Sequence, residues 1–324
     1  MSWDSPVLLI EDGGDKGSSR AMQPISGPSD ALAALSGMKN TVDQRLALLL
    51  ESTDFVPANL SGAMSHALLG GGKRIRPLFF LCMVSRADRY AAAVDIGCAI
   101  EMVHSASLIL DDLPCMDDAD LRRQQLTTHK AFGQSTAILA AISLLTRGIN
   151  IASTVEGVSP ALRAQFVTLL TKAVGHEGLA GGQELDLNGG GSKDGLAGVE
   201  QKNWLKTGAL FAATAEMAGL LDNKTADQKR ALASFASHIG SAFQALDDYL
   251  DLTGASVTLG KDTGKDAGKD TIASRLGPGR ARAAYLEHLD RAYALLPRCG
   301  IREGAVDAML KTIFHTQPVE LVHA

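Results

Sequence analysis

The chain has 324 residues, 46% hydrophobic and 21% charged, with a formal net charge of −5. That length fits one large domain or two ordinary ones, and the absence of a basic excess argues against a nucleic-acid binder, although lysines and arginines can still gather where a phosphate-bearing ligand sits. Cys82, Cys98, Cys115 and Cys299 lack metal-ligand spacing, no signal-peptide core opens the chain, and no run of 18 uncharged apolar residues exists, so a cytoplasmic protein with no membrane span is expected.

Residues 1–30 are rich in Gly, Ser, Asp and Pro, and no apolar period organises them; a disordered tail is expected here, ahead of one domain over 31–324. From Ala31 onward apolar residues recur at three and four, as in Leu46, Leu49, Leu50 and Leu162, Phe166, Leu169, Leu170, which is the helical period. Gly70-Gly71-Gly72, Glu156 to Pro160 and Gly189-Gly190-Gly191 cut the pattern into helix-length pieces. β-Branched alternation is scarce, so the fold class is all-α, a single large helical bundle.

Two acidic clusters carry the chemistry. The first runs Asp111-Asp112-Leu-Pro-Cys-Met-Asp117-Asp118 and the second Asp247-Asp248-Tyr-Leu-Asp251, each after an apolar stretch. Adjacent carboxylates repel, and neither cluster has a basic residue within its own turn. On a helix, Asp247 and Asp251 differ by only about 40° and share a face. Asp111 and Asp117 differ by roughly 240°, so they need Pro114 to kink or bulge the helix and bring Asp117 round. Oxygen-only carboxylate sites suit a hard cation, and a magnesium ion bridging to substrate phosphates needs only one or two carboxylates. A diphosphate ligand is implied.

With these motifs in order over about Leu35 to His315, the sequence resembles the trans-isoprenyl diphosphate synthases, specifically the bacterial carotenoid-type geranylgeranyl diphosphate synthases. The first cluster matches that family's first aspartate-rich motif, in the variant with two extra residues, and the second cluster its second. The resemblance implies a helical bundle with a central substrate cavity and condensation of isopentenyl diphosphate with an allylic diphosphate. It also implies a homodimer and three magnesium ions in the substrate complex, with manganese able to substitute. The metal ligands would be Asp111, Asp112, Asp117, Asp247, Asp248 and Asp251, with Asp111, Asp112, Asp247 and Lys206 central to catalysis. Lys73, Arg76, His104 and Arg123 would hold isopentenyl diphosphate. Arg122, Lys206, Thr207 and Gln244 would hold the allylic substrate, and Lys261 and Lys269 would lie in a loop closing over it. Gly182-Gln183 through Asp186 also fits the family pattern. Lysines act here as point charges and arginines as bidentate forks.

Product length turns on the residues before Asp111. Ala106 and Ser107 lie roughly 6 to 8 Å down the helix, and both are small where family members that stop at fifteen carbons usually carry an aromatic residue. That leaves room for a twenty-carbon product, with Met102 and Val103 a turn deeper. Gln124 and Leu126 depart from the family's usual Gly and Pro, and Ala140-Ala141-Ile142 replaces a common Gly-Asp pair. The segment Gly264 to Thr271 fails as a nucleotide-binding loop, since its glycine spacing is one short and Asp270 stands where Ser or Thr belongs. A farnesyl diphosphate synthase, a terpene cyclase and a non-catalytic synthase subunit are the alternatives. The all-aspartate second cluster disfavours the cyclase, and the completeness of both clusters disfavours the inactive subunit.

Overall fold

The computed structural model describes residues 28–51, 57–189, 195–253, 274–275 and 277–314, except for the side chains of 28–29, 196 and 251–253. The expected tail over 1–30 lies almost wholly outside them. Helices α1 (Pro28–Glu51), α2 (Ala58–Leu69) and α3 (Ile75–Met83) lead to α4 (Tyr90–Asp111), after which a short hairpin, β1 (Leu121–Arg122) and β2 (Gln125–Leu126), precedes α5 (Thr128–Phe132). Then come α6 (Gln134–Thr154), α7 (Pro160–Val174), α8 (Leu179–Asn188) and α9 (Gly195–Asn203), a π-helical turn (Trp204–Gly208), and α10 (Ala209–Leu221). The long α11 (Ala226–Thr253), α12 (Pro278–Cys299) and α13 (Glu303–Phe314) complete the described chain. The fold is all-helical as expected, apart from the hairpin, which periodicity did not signal.

Helix α4 is the hub. Its residues Ala93, Ile96, Cys98, Ala99, Ile100 and Met102 have no exposed surface, and it packs against α1, α2, α3, α6 and α10. Close approach depends on glycine at Gly148 of α6, where a Cβ would stand 2.8 Å from the Ala99 carbonyl oxygen. By length and composition α4 and α6 both pass as candidate membrane spans, although neither holds a run of 18 uncharged apolar residues. The reason is that Ala, Ile and Leu keep the average high around a few charged residues. The apolar window of α4 is 72% buried inside the fold, so it is a core helix, whereas α6 leaves Ile138, Leu139 and Ile142 exposed.

Helix ends are set by local chemistry. The Ser159 side chain accepts from the Leu162 amide ahead of Pro160 at the first turn of α7. Gly300 ends α12 in the left-handed conformation, φ 60°. Behind the bundle, Asp222 accepts from Lys224 Nζ at 2.7 Å and from the Ser85 hydroxyl at 2.6 Å, and Lys224 donates also to the Gly300 carbonyl. This buried pair ties α3, α10 and α12 together, and its partners hold the Asp222 carboxyl below the usual range against the opposing effect of burial.

Candidate functional site

Helix α4 stops at Asp111 instead of running on through a kink at Pro114. The chain folds back so that the Asp117 amide donates to the Asp111 carbonyl at 2.9 Å, and the Ala119 amide to that of Asp112 at 3.2 Å. Asp117 therefore comes round beside Asp111 by reversal of the chain. Proline, which has no amide hydrogen to continue a helix, is compatible with this turn. Burial pushes the Asp111 carboxyl up to about 6; Lys206 opposes the shift and Asp117 adds to it. An acid that resists ionisation alone and has a second carboxylate close by suits a cation that would relieve both.

Asp112 is placed differently from its neighbour. It is 3% exposed, and its carboxylate is taken up by Arg122, whose Nε donates at 3.0 Å and whose Nη2 also donates. The sequence had assigned these two residues separately, one to metal and one to the allylic diphosphate. The hairpin explains the pairing, because it returns Arg122 across the end of α4. Its two-residue loop, Arg123 and Gln124, has φ of 55° and 65°. Such a loop favours glycine, which gives a physical meaning to Gln124 as a departure from Gly.

Beside the hairpin, Arg76 is buried in α3, and its Nη1 contacts His104 Nε2 at 3.1 Å. The Arg76 guanidinium lies 4.9 Å from the centre of the Phe211 ring, and its Nε is buried with no hydrogen-bond partner among the described residues. Burial lowers the Arg76 pKa to about 10, with Glu101 opposing the change and Arg123 adding to it. Burial and then Arg76 hold His104 well below its ordinary value, so this imidazole is neutral at pH 7. Arg123 donates to the Gly71 carbonyl. It also packs over Gly72, where a Cβ would stand 2.8 Å from the guanidinium carbon. Lys73 is exposed at the same turn.

Opposite lies the π-helical turn. Its extra residue sets Lys206 and Thr207 off the regular helical register, and α8 approaches so closely that a Cβ at Gly182 would stand 2.5 Å from the Lys206 amide nitrogen. Lys206 Nζ donates to Asp186 at 2.7 Å, and Lys202 pairs with the same carboxylate at 3.0 Å. The Thr207 hydroxyl donates to Gln244 Oε1 at 3.0 Å, and Gln244 Nε2 donates to Asp248 Oδ1 at 2.9 Å. Gln183 of α8 donates to Met116 Sδ at 3.5 Å, reaching the turn of the first acidic cluster.

Asp247 is half-buried and Asp248 buried on α11. The side chain of Asp251, and Lys261 and Lys269 entirely, lie outside the described residues. Among the described residues no three His, Cys, Asp or Glu side chains gather into a metal-enclosing group. The oxygen-only donors nevertheless fit magnesium shared with substrate phosphates, which needs few protein ligands. Ala106 is buried and Ser107 half-buried, with the Ser107 hydroxyl donating to the His104 carbonyl at 2.8 Å. Of the departures on α6, Ala140 and Ala141 sit in the core and Ile142 faces outward.

Sequence reasoning passed over Asp43, Arg74 and Glu101. Glu101 was visible as one acid within an apolar helix, three residues ahead of His104 and so on nearly the same face. Arg74 and Asp43 carried no such signal, because their pairing joins α1 to the turn before α3.

The polyprenyl synthetase family matches residues 57–274. A geranylgeranyl diphosphate synthase of Pseudescherichia vulneris is 41% identical over 259 residues, covering 79% of this chain and 83% of the relative. A farnesyl diphosphate synthase of Geobacillus stearothermophilus is 38% identical over 277 residues, 84% of this chain and 93% of the relative. Among solved structures, a geranyltransferase from Helicobacter pylori complexed with magnesium and isoprenyl diphosphate superposes with a TM-score of 0.78 at 27% identity, covering 90% of this chain and 100% of that one.

Proposed function

This chain belongs to the polyprenyl synthetase family of trans-prenyltransferases, and from that premise we propose that it joins isopentenyl diphosphate to allylic diphosphates and stops at geranylgeranyl diphosphate. The observation that carries the reading is the convergence at one end of α4. Acidic Asp111 and Asp117 meet Lys206 there, on the same side of the fold as the buried Arg76 and the half-buried Arg123. Two anionic groups have to be gripped, and two sets of cations are available.

In this reading Lys206, Thr207 and Gln244 orient the allylic diphosphate, and Arg76, Arg123, His104 and Lys73 hold isopentenyl diphosphate with its double bond facing the allylic carbon. Asp111 and Asp117 on one side and Asp247 and Asp251 on the other would hold magnesium, which would neutralise the charge that grows on the leaving diphosphate. Asp112 acts through Arg122, and Asp248 through Gln244. The allylic C–O bond breaks, the double bond attacks the cation, and one proton leaves the new chain. The released diphosphate is the assigned acceptor for that proton. Holding both partners in place lowers much of the barrier.

Two further parts of the proposal concern assembly and location. The exposed apolar side chains Ile138 (41% exposed), Leu139 (54%) and Ile142 (52%) on α6 support a homodimer in which a second copy covers this face. A cytoplasmic location accords with the water-soluble diphosphate substrates.

For product length, the small Ala106 on the buried face of α4 supports a twenty-carbon product, while the comparable identity to farnesyl diphosphate synthases keeps fifteen carbons as the second reading. The expected result is geranylgeranyl diphosphate from the wild type and farnesyl diphosphate from Ala106→Tyr, because a packed interior does not yield to an added ring. Chromatography of dephosphorylated products checks this. A wild type that stops at fifteen carbons, or a tyrosine variant that still reaches twenty, removes Ala106 from the tail pocket.

A further inference from the structure

Of the two arginines assigned to isopentenyl diphosphate, Arg123 lies against a buried carboxylate, and Arg76 feels the charge of the same group without touching it. Glu101 is 1% exposed on α4. Its Oε1 accepts from Arg74 Nη1 at 3.1 Å and lies 4.0 Å from Arg123 Nη2. Arg74 is itself 3% exposed and is clamped from the other side by Asp43 of α1, whose Oδ1 accepts from Nε at 2.6 Å. A third bond runs from Arg74 Nη1 to the Gly71 carbonyl at 3.2 Å, the same carbonyl that accepts from Arg123.

The backbone here is unusual. Arg74 has φ 51° and ψ 38°, left-handed for a residue with a β-carbon, and such a conformation persists only where surrounding contacts over-determine it. This left-handed residue immediately precedes α3, whose second residue is Arg76. The side-chain clamp on Arg74 therefore sets the direction in which Arg76 enters the cleft. Arg76 makes no carboxylate contact among the described residues; it has His104, the Phe211 ring and an unpartnered Nε. A buried guanidinium with an idle donor and a neutral imidazole beside it is arranged for an anion not yet bound. Without a carboxylate nearby, Arg74, Arg76 and Arg123 would repel one another and spread apart.

We propose that Glu101, acting through the Asp43–Arg74 clamp, is the positioning residue that holds Arg76 and Arg123 together for the isopentenyl diphosphate. It does not touch substrate; it fixes where two substrate-binding cations stand. The inference rests on the assignment of this cleft to isopentenyl diphosphate, so its test includes a measurement that does not depend on turnover.

The test compares wild type with Glu101→Gln, which keeps the shape and one acceptor but removes the charge. With EDTA present to silence the metal-dependent allylic site, calorimetric affinity for inorganic pyrophosphate is expected to fall by about tenfold. In steady state the KM for isopentenyl diphosphate is expected to rise by a similar factor, while that for the allylic primer moves less than about twofold. A purely structural role would lower the melting temperature or the active fraction without splitting the two KM values. Asp43→Asn, which loosens the clamp from its half-exposed end, is expected to give the same split at about threefold, and it decides the matter if Glu101→Gln does not fold. Unchanged pyrophosphate affinity in a folded variant overturns the role of Glu101. Loss of pyrophosphate affinity in a protein that shows no prenyl transfer keeps that role and overturns the function instead.

Discussion

Replacing Asp111 with alanine is expected to lower turnover by at least about a hundredfold, the scale for losing a group that stabilises charge in the transition state. The magnitude follows from position. Asp111 is the last residue of α4, and the turn that follows brings the Asp117 amide to its carbonyl at 2.9 Å. The fold should survive the change, because the carboxyl is not part of the hydrophobic core. Its pKa of about 6 also gives a sign that can be checked without substrate. A carboxyl whose pKa is raised on folding destabilises the folded state above that pKa and has no such effect below its unfolded value. Metal-free Asp111→Asn should therefore melt higher than wild type near pH 7.5, with the gain vanishing near pH 4. Near-normal turnover in Asp111→Ala would remove the metal assignment, and a gain in melting temperature independent of pH would remove the electrostatic account.

Arg76→Ala and Lys206→Ala are expected to produce opposite kinetic patterns. Arg76 stands in the cleft between α3 and α4 with its Nε unpartnered, and its loss should raise the KM for isopentenyl diphosphate at least about tenfold with a small effect on the allylic primer. Lys206 stands on the π-helical turn, paired with Asp186 at 2.7 Å. Its loss should raise the KM for the allylic primer and also lower kcat, since Lys206 faces the departing diphosphate in the proposed reaction. Initial-rate kinetics with each substrate varied in turn separate the two. Identical patterns would show that the division of cations between substrates is wrong.

Much of this was legible in the residues. The helical period in Leu162, Phe166, Leu169 and Leu170 became α7, with Phe166 and Leu170 fully buried. The paired acidic clusters, with no basic residue within their own turns, pointed to a hard cation and diphosphate chemistry before any geometry was available. What stayed hidden was whatever depends on chain reversal or on partners distant in sequence. A helical wheel places Asp111 and Asp117 apart, and only the turn after α4 brings them together. Arg122 and Asp112 are ten residues apart with the chain reversal after α4 between them, and neither strand of the hairpin that carries Arg122 is long enough to show an alternating pattern. The clamp from Asp43 through Arg74 to Glu101 joins two helices and the turn before a third, and obeys no period at all. The π-helical turn at Trp204–Gly208 likewise adds a residue that helical periodicity cannot register.

The central claim is that this chain alone transfers prenyl groups. The most direct measurement incubates the purified protein with magnesium, labelled isopentenyl diphosphate and, in turn, dimethylallyl, geranyl and farnesyl diphosphate, and sizes the dephosphorylated products. The account predicts extension of each primer to twenty carbons with trans double bonds, and none in EDTA. Label that stays in isopentenyl diphosphate with every primer, by a folded protein in magnesium, would contradict it.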